Sequence, residues 1–166
     1  MNENSVHQVF LSLGSNLGDR RANLSKAIEL LIKDGCIILS ESAVYLTSPL
    51  QFESENYFYN LCMIVDTIRN PLSFLELINE IQTVMGREGK TETYTDRIID
   101  LDILYYDDLI FQNEDLIIPH PKISGRMFVL KPLAEIAPEK SHPILNKTVK
   151  ELEAHCNDKS YVKRLS

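Results

Sequence analysis

The sequence predicts an α+β domain in which helices pack on one antiparallel sheet. Strand-like and helix-like patterns follow one another in the order β-α-β-β-α-β, and the second and third strands meet without a helix between them. A doubly wound parallel sheet needs a helix between consecutive strands, so this order excludes it. The chain has 166 residues, 44% of them hydrophobic, and needs no disulfide to hold a core. We therefore expect a single domain over residues 1–166.

The first half of the chain carries one helix and three strands. Apolar residues recur at helical spacing from Leu24 to Leu31, and Asp34-Gly35 closes this helix because glycine suits the position after a helix end. Alternating or β-prone runs predict the strands. These are residues 9–13, residues 37–46 and residues 60–66, with a long loop predicted over residues 47–57.

The second half repeats the pattern and adds a helical end. Asn70-Pro71 supplies an N-cap and a first-turn proline for a second helix, which stops at Gly86. The order of elements is that of a ferredoxin-like βαββαβ sandwich. The remaining predicted segments are a loop over 87–97, the clearest strand over 99–106, a hairpin-like passage turning at Asp107-Asp108 and running to Ile118, a helix over 125–136 interrupted by Pro132, and a short helix over 148–155.

Charge and cysteine content exclude several classes of protein. With 17 basic and 24 acidic residues the net charge is −7, which opposes non-specific binding to nucleic acid or to an anionic membrane surface. The three cysteines are widely spaced and form no CxxC pair, as expected of reduced thiols. The N-terminus shows no secretory pattern, and no apolar run approaches the ~20 residues of a membrane span. We therefore expect a cytoplasmic protein with no nucleic-acid or membrane partner.

The strongest chemical feature is a pair of acids, Asp100 and Asp102, on the clearest strand. Side chains two residues apart project from the same face, with Cα atoms roughly 6.5–7 Å apart. Two carboxylates among apolar neighbours are costly unless a cation compensates them, and Mg²⁺ prefers carboxylates together with substrate phosphates. A solvated strand face explains this spacing equally well. The upstream bases Arg87, Lys90 and Arg97 favour phosphoryl transfer, in which catalysis is positioning plus charge neutralisation.

Two other motifs invite a phosphate-binding interpretation. Gly89-Lys90-Thr91 resembles a P-loop, but Val84 stands where that motif needs its first glycine, and a helix rather than a strand precedes it. We reject it. The segment 14–18 joins a strand to a helix N-terminus and is a weak anion-site candidate, with a tight turn capped by Asp19 as the alternative.

Four residues outside the acid pair are candidates for ligand contacts. His120 lies between two prolines near Arg126, which makes a phosphate contact plausible, although a structural histidine is commoner. Phe58 and Phe128 would sandwich a flat heterocycle whose edge Asn60 would bind. Aromatic residues at such positions more often belong to the core.

These segments together resemble the 6-hydroxymethyl-7,8-dihydropterin pyrophosphokinase family, from Phe10 to about Pro138. Seven fragments stand in the family's order. They are Leu11-Ser-Leu-Gly-Ser-Asn-Leu-Gly-Asp19, Tyr45-Leu-Thr-Ser-Pro-Leu50, Asn60-Leu, Met85-Gly-Arg87, Asp96-Arg97-Ile-Ile-Asp100-Leu-Asp102-Ile-Leu, Pro119-His-Pro121 and Arg126-Met-Phe-Val-Leu-Lys-Pro-Leu133. The resemblance implies a ferredoxin-like fold and transfer of pyrophosphate from ATP to the pterin hydroxymethyl group, with release of AMP, in folate biosynthesis. It also implies two Mg²⁺ ions bound with ATP and a functional link to dihydropteroate synthase.

The resemblance also assigns roles to single residues. Asp100 and Asp102 match the metal-binding pair, and Arg87 and Arg97 match arginines of a mobile catalytic loop. The ATP-binding positions are Gln82, Lys90, Ile103, His120 and Arg126, with Asn79 on the nucleotide side. The pterin-binding positions are Thr47, Leu50, Phe58, Asn60 and Phe128.

The sequence departs from the family pattern in the loop before the acids. Where the family has Arg-Trp-Gly-Pro-Arg, this chain has Thr93-Tyr-Thr-Asp-Arg97, and Gly89 stands where a further arginine is usual. Asp115 and Pro121 replace residues that are basic and aromatic in some members. We expect the reaction to be retained. The alternatives are a non-catalytic member that binds pterin or nucleotide, and an interaction module on the same scaffold.

Overall fold

The computed structural model describes residues 5–49, 53–87 and 95–165. The described parts contain the β-α-β-β-α-β order that the sequence predicts, with further elements after it. Their bounds are β1 His7–Ser15, α1 Arg20–Lys33, β2 Ile37–Glu41, β3 Tyr45–Thr47, β4 Phe58–Thr67, α2 Pro71–Val84, β5 Asp100–Tyr106, β6 Phe111–Gln112, β7 Ile117–Ile118, a 3₁₀ turn Ile123–Gly125, α3 Met127–Ile136, α4 Val149–Ala154 and β8 Val162–Arg164.

One antiparallel sheet organises the structure. Its strands run in the order β5-β1-β4-β3-β8, and β2 also pairs with β4. Counting β2 and β3 as the two parts of one strand, the first four strands lie in the spatial order 4-1-3-2. The predicted α+β, ferredoxin-like arrangement is therefore confirmed.

Each face of the sheet carries its own apolar core. On one face, alternate residues of β1 such as Leu11 and Leu13 pack with α1 and α2. On the other face, Phe10 packs with Leu130 and Leu133 of α3 and with α4. Because β1 alternates, Ser12 and Gly14 share the second face with Phe10. These small residues leave room at the end of the sheet that α3 approaches with its N-terminus.

Strand register brings the predicted site residues together at that end. Gly14 lies opposite Asn60 on β4 and opposite Asp100 on β5. Ser12 lies opposite Asp102 in the same way. Asp100, Asp102 and Asn60 are thus neighbours across three adjacent strands, although 40 residues separate Asn60 from Asp100 in sequence.

The strand predicted over 37–46 is wrong as one unit. It is divided into β2 and β3, with a register shift between Ile38 and Ser40. The chain leaves the sheet at Ala43, whose N–H donates to Oε2 of Glu135 on α3 at 2.6 Å. Alternation along the sequence does not reveal this bond, because its acceptor lies 92 residues away.

Two further expectations at the C-terminal end need correction. Pro132 does not interrupt α3, which continues from Met127 to Ile136 with the proline buried inside it. Packing on the sheet outweighs the hydrogen bond that proline removes. Strand β8 was not predicted, because three residues with two exposed basic side chains show no apolar alternation. The turn at Asp107 is confirmed, with a φ of 50°.

Side-chain caps fix where the helices begin. Asp19 accepts from Ala22 N at 3.0 Å, Asn70 accepts from Ser73 N at 2.9 Å, and Thr148 forms a capping box with Glu151. Within the described residues, no helix is long and apolar enough to cross a bilayer.

We predict that Asn70→Ala lowers the free energy of unfolding by about 1 kcal/mol, because the Ser73 N–H loses its acceptor at the start of α2. Urea denaturation followed by circular dichroism measures the change. Asn70→Asp keeps an acceptor oxygen and is the matched control. An alanine variant as stable as the aspartate variant would show that this cap contributes nothing.

Candidate active site

Two adjoining cavities open where β1 ends and β5 begins, the smaller one on the face that carries α3 and the larger one beside α2. Both are lined by the same four charged residues, Arg97, Asp100, Asp102 and Arg126. The cavities therefore form one cleft with two lobes, and the acid pair lies where the lobes meet. A molecule in one lobe would face a molecule in the other across these charges.

The smaller lobe, about 600 Å³ with its mouth, has the features of a site for a flat polar ring. Phe58 and Phe128 line it, as does the buried amide of Asn60. The amide Nδ2 of Asn60 donates to Thr47 Oγ1 at 2.6 Å, which fixes the orientation of the side chain. The predicted residues Thr47, Phe58, Asn60 and Phe128 thus lie in one lobe.

Gly14 forms the floor between Asn60 and the acids. A Cβ atom at this position would lie 2.4 Å from Asn60 Oδ1, so the position excludes every side chain. The sequence analysis treated this glycine only as part of the segment 14–18, a weak anion-site candidate or a tight turn. The close approach to Asn60 across the strand pair shows that it shapes the lobe. Ser12, Ser48 and Thr95 also line the lobe and were not predicted.

The larger lobe, about 1200 Å³ with its mouth, has an apolar part and a polar part. The apolar part consists of Leu75, Ile78, Leu116 and Ile117. The predicted residues Gln82, Ile103, His120 and Arg126 line the same lobe, together with Asn79, Arg87 and Pro121. Asp115 and its neighbour Glu114 lie at this lobe as well, as two carboxylates that sequence reasoning did not place there.

The two acids differ in their surroundings. Asp100 Oδ1 accepts from Arg87 NH1 at 3.0 Å and from Arg97 NH1 at 3.3 Å. Burial and the negative charge of Asp100 outweigh the nearby arginines and raise the pKa of Asp102 to about 7, well above the ordinary value of an aspartate. The charged form of Asp102 is thus under-compensated, and a bound cation would relieve this.

The donor set fits a cation that brings further ligands with it. Among the described residues there is no group of three or more histidine, cysteine or acidic side chains placed to hold a metal. Two carboxylate groups on neighbouring positions are too few to enclose a divalent ion. Mg²⁺ is commonly bound through one or two carboxylates, with substrate phosphates and water as its other ligands.

Gln82 anchors Arg87. Its Oε1 accepts from the backbone N–H of Leu101 at 2.9 Å and also from Arg87 NH1. The amide oxygen is therefore used within the protein, where it links α2 to β5 and holds Arg87 beside Asp100. The predicted contact between Gln82 and ATP stays a prediction. The group of Gln82 that could donate to a nucleotide in the larger lobe is its amide nitrogen.

His120 is neutral at pH 7. Burial and the positive charges of Arg126 and Lys122 lower its pKa to about 4. Its Nδ1 accepts from the backbone N–H of Lys122 at 3.1 Å, so the ring proton lies on Nε2. The backbone N–H of His120 donates to Leu104 O at 2.9 Å, which fixes the residue against β5. The histidine thus offers one N–H donor without a positive charge.

The sequence did not reveal a group of hydrogen bonds, centred on Asn16 and Asp96, that holds the backbone of Arg97. Asn16, 3% exposed, accepts from Arg97 N at 2.5 Å and donates from its own backbone N–H to Arg97 O at 3.0 Å. Asp96 accepts from Asn16, Ser54 and Asn56 at 2.6–2.8 Å. These bonds favour the tight-turn interpretation of the segment 14–18, because Asn16 holds the neighbouring loop rather than an anion.

Two predicted site residues, Leu50 and Lys90, lie outside the described residues. So does the segment 88–94, which contains most of the loop whose sequence departs from the family pattern. The other predicted residues all lie at the two-lobed cleft. Their contacts with substrates and metal stay predictions.

The sequence matches the family described as 7,8-dihydro-6-hydroxymethylpterin-pyrophosphokinase (HPPK) over residues 10–138. The chain belongs to this family. It is 38% identical over 128 residues to the 2-amino-4-hydroxy-6-hydroxymethyldihydropteridine pyrophosphokinase of Bacillus subtilis (strain 168), and the match covers 76% of each protein. It is 41% identical over 147 residues to the folic acid synthesis protein FOL1 of Dictyostelium discoideum, covering 87% of this chain.

Several relatives of this family member are much longer. The chain spans 22% of the Dictyostelium protein and 43% of the bifunctional protein FolKE of Lactococcus lactis subsp. lactis (strain IL1403). Among solved structures, the wild-type HPPK-DHPS of Plasmodium falciparum with pteroate superposes with a TM-score of 0.74 at 19% identity, covering 92% of this chain and 45% of that one. At this identity the superposition supports the fold alone.

We predict that Asp102→Asn raises the melting temperature of the ligand-free protein at pH 8. In the folded protein the pKa of Asp102 lies above its unfolded value, so stability is lost as pH rises from about 3.8 to about 7, and the loss is complete above that range. The gain should shrink towards pH 5, where wild-type Asp102 is protonated. Thermal denaturation between pH 5 and 8 measures it, with Asp115→Asn as an exposed control. A gain that is the same at both pH values would contradict the assignment.

Proposed function

We propose that the chain transfers pyrophosphate from ATP to the hydroxymethyl group of 6-hydroxymethyl-7,8-dihydropterin and releases AMP, as a step of folate synthesis. One observation carries the proposal: a ring-sized lobe with two aromatic side chains and a larger lobe meet at a shared cluster of two acids and two arginines. The family of the chain and the names of its relatives agree with this chemistry.

The smaller lobe suits the pterin. A planar ring between Phe58 and Phe128 would gain stacking contacts, and Asn60 would bind its polar edge with the amide groups that Thr47 leaves free. A pterin edge presents both donors and acceptors, which an amide matches. The hydroxymethyl group would then point to the junction, where Asp100 and Asp102 lie.

The larger lobe suits the nucleotide. Its apolar part would hold the base, while Arg126 and the Nε2–H of His120 would contact the phosphates. A neutral histidine donor binds a phosphate oxygen without adding to the positive charge of the arginines. The carboxylates Glu114 and Asp115 repel phosphate, so the phosphate chain has to run towards the arginines at the junction.

Asp100 and Asp102 would hold Mg²⁺ that arrives with ATP. When bound, the metal supplies charge neutralisation on the phosphates and orients them. Attack of the hydroxymethyl oxygen on the β-phosphorus forms the new O–P bond and breaks the bond to the oxygen that bridges to the α-phosphate. AMP leaves, and the hydroxyl proton passes to solvent. The carboxylates therefore act by position and charge.

Arg87 and Arg97 would change partner during this reaction. Both now bind Asp100 Oδ1, which gives that carboxylate two positive neighbours. With a cation held at Asp100, the guanidinium groups of Arg87 and Arg97 would bind this carboxylate less strongly and could turn to phosphate, which arginine binds in bidentate geometry. The two arginines would thus contact the phosphates only after a cation has replaced them at Asp100.

The longer relatives suggest where the product goes. The Plasmodium protein is named for HPPK and DHPS together, so in that protein the two activities share one chain. We include in the proposal a functional link between this chain and a dihydropteroate synthase. A cytoplasmic location stays a prediction from the sequence.

We predict that the purified chain forms AMP from ATP only when both the pterin and Mg²⁺ are present. Chromatography of nucleotides after incubation measures AMP and ADP, and EDTA should abolish AMP formation. Asp102→Ala should lower turnover by about 10³-fold or more while leaving the circular dichroism spectrum unchanged. Calorimetric binding of MgATP and pterin without AMP formation would instead support the non-catalytic alternative, and binding of neither would favour an interaction module.

We predict that Arg97→Ala lowers kcat by about 10²–10³-fold and changes the Kd of the pterin by less than about twofold, because the guanidinium acts on the phosphates. Steady-state kinetics and calorimetry separate the two quantities. Lys26→Ala, an exposed change on α1, is the control for loss of a surface charge. A collapse of pterin affinity with kcat retained would show that Arg97 serves the ring lobe instead.

A further inference from the structure

The last described residues of the chain lie against both walls of the smaller lobe. We propose that this segment, residues 158–165 and hereafter the C-terminal strap, sets the pterin affinity of the lobe, and that Asp158 is its principal positioning residue. The inference rests on the proposed function of the lobe. It concerns a segment beyond residue 138, where the match to the family ends.

The first wall that the strap holds is β3. Strand β8 pairs with β3 along its whole length, with Thr47 opposite Val162. The pairing continues past the strand, because Ser48 N donates to Tyr161 O at 3.0 Å and Tyr161 N donates to Ser48 Oγ at 3.1 Å. Thr47 and Ser48 both line the lobe, and Thr47 orients Asn60. The strap thus fixes the backbone that presents the pterin-edge contacts.

The second wall is the N-terminus of α3. The N-cap residue of this ten-residue helix, Arg126, makes no side-chain capping bond. Asp158 supplies the acceptor instead, because its Oδ2 accepts from Met127 N at 2.9 Å. A carboxylate at a helix N-terminus is favoured by both the free N–H group and the helix dipole. Met127 lies between Arg126 and Phe128, so this bond holds the turn that presents both lining residues.

The strap is itself held in shape at both ends. Asp158 Oδ1 accepts from Ser160 N at 2.9 Å, which turns the chain towards β3. At the other end, Arg164 Nε donates to Glu135 Oε1 at 2.7 Å, and Glu135 also binds Ala43 N. The strap therefore links the start of α3 to β3, and then links β3 to the end of α3.

The contacts of the strap predict a selective effect on one substrate. The strap contacts residues of the smaller lobe and the turn at Arg126. The apolar part of the larger lobe is formed by α2 and the β6–β7 hairpin, which pack against β5. Loss of the Asp158 bond would let the first turn of α3 fray and move Phe128 off the ring. Pterin affinity would fall, while nucleotide affinity would fall less, because Arg126 is one of several residues that line the larger lobe.

The test uses the full chain with Asp158→Ala, with Asp158→Asn as the conservative variant, and with Lys159→Ala as an exposed control in the same segment. Calorimetry measures the Kd of 6-hydroxymethyl-7,8-dihydropterin in the presence of Mg²⁺ and α,β-methylene ATP, and separately the Kd of the nucleotide analogue. Steady-state kinetics give kcat and the KM of each substrate.

We expect Asp158→Ala to raise the Kd and KM of the pterin about fivefold, as loss of a helix cap would, with nucleotide Kd and kcat within about twofold of wild type. Asp158→Asn keeps one acceptor and should fall between. Equal losses for both substrates, or no loss, would overturn the inference while leaving the proposed function intact. Wild-type protein that binds nucleotide but no pterin would overturn the proposed function, and the inference with it.

Discussion

Two carboxylates on one strand, close enough to repel, are the constraint on which the site depends. Burial and mutual repulsion make the charged form of Asp102 costly, and Asp100 is tolerated because two arginines share one of its oxygens. The fold stabilises this arrangement from outside. Gln82 holds Arg87 from α2, and Asn16 binds the backbone of Arg97 on both sides. In the proposed reaction, the same repulsion that lowers stability would favour the binding of a cation that arrives with the nucleotide.

The site also requires space for a ligand, and β1 provides this space because its side chains near the site are small. Along the face of β1 that meets α3, the side chains become smaller towards the site, from Phe10 through Ser12 to Gly14. The first belongs to the core and the last leaves the space that Asn60 Oδ1 occupies. The lobe therefore begins where the core residues end. Of its two aromatic walls, Phe58 belongs to β4 within the sheet, whereas Phe128 belongs to the first turn of α3, which Asp158 caps.

Most of the fold was readable from the sequence because it rests on local patterns. Helical spacing, the Asn70-Pro71 start and the alternation of β5 are properties of short segments, and the acid pair follows from alternation alone. The errors lie where long-range bonds decide. Ala43 leaves the sheet for Glu135, Asp158 caps a helix 31 residues earlier, and Asn16 meets Asp96 across 80 residues. No periodicity encodes such a bond. Gln82 illustrates the same limit, because the resemblance assigns it to ATP but no local pattern shows that its oxygen binds Leu101 N and Arg87.

The change in the loop before the acids also has a physical interpretation at Asp96, which stands where the family pattern has proline. An added negative charge near a phosphate site would be harmful if it faced the cleft. Asp96 instead lines neither lobe, and its pKa is lowered by hydrogen bonds from Ser54, Asn56 and Asn16. Neutral donors thus satisfy the carboxylate on the far side of the loop, where it joins the segment 53–57 to Asn16. Asn16 in turn binds the backbone of Arg97. Asp96 therefore draws no arginine away from the cleft, and it helps to hold the backbone of Arg97 while the guanidinium group binds Asp100.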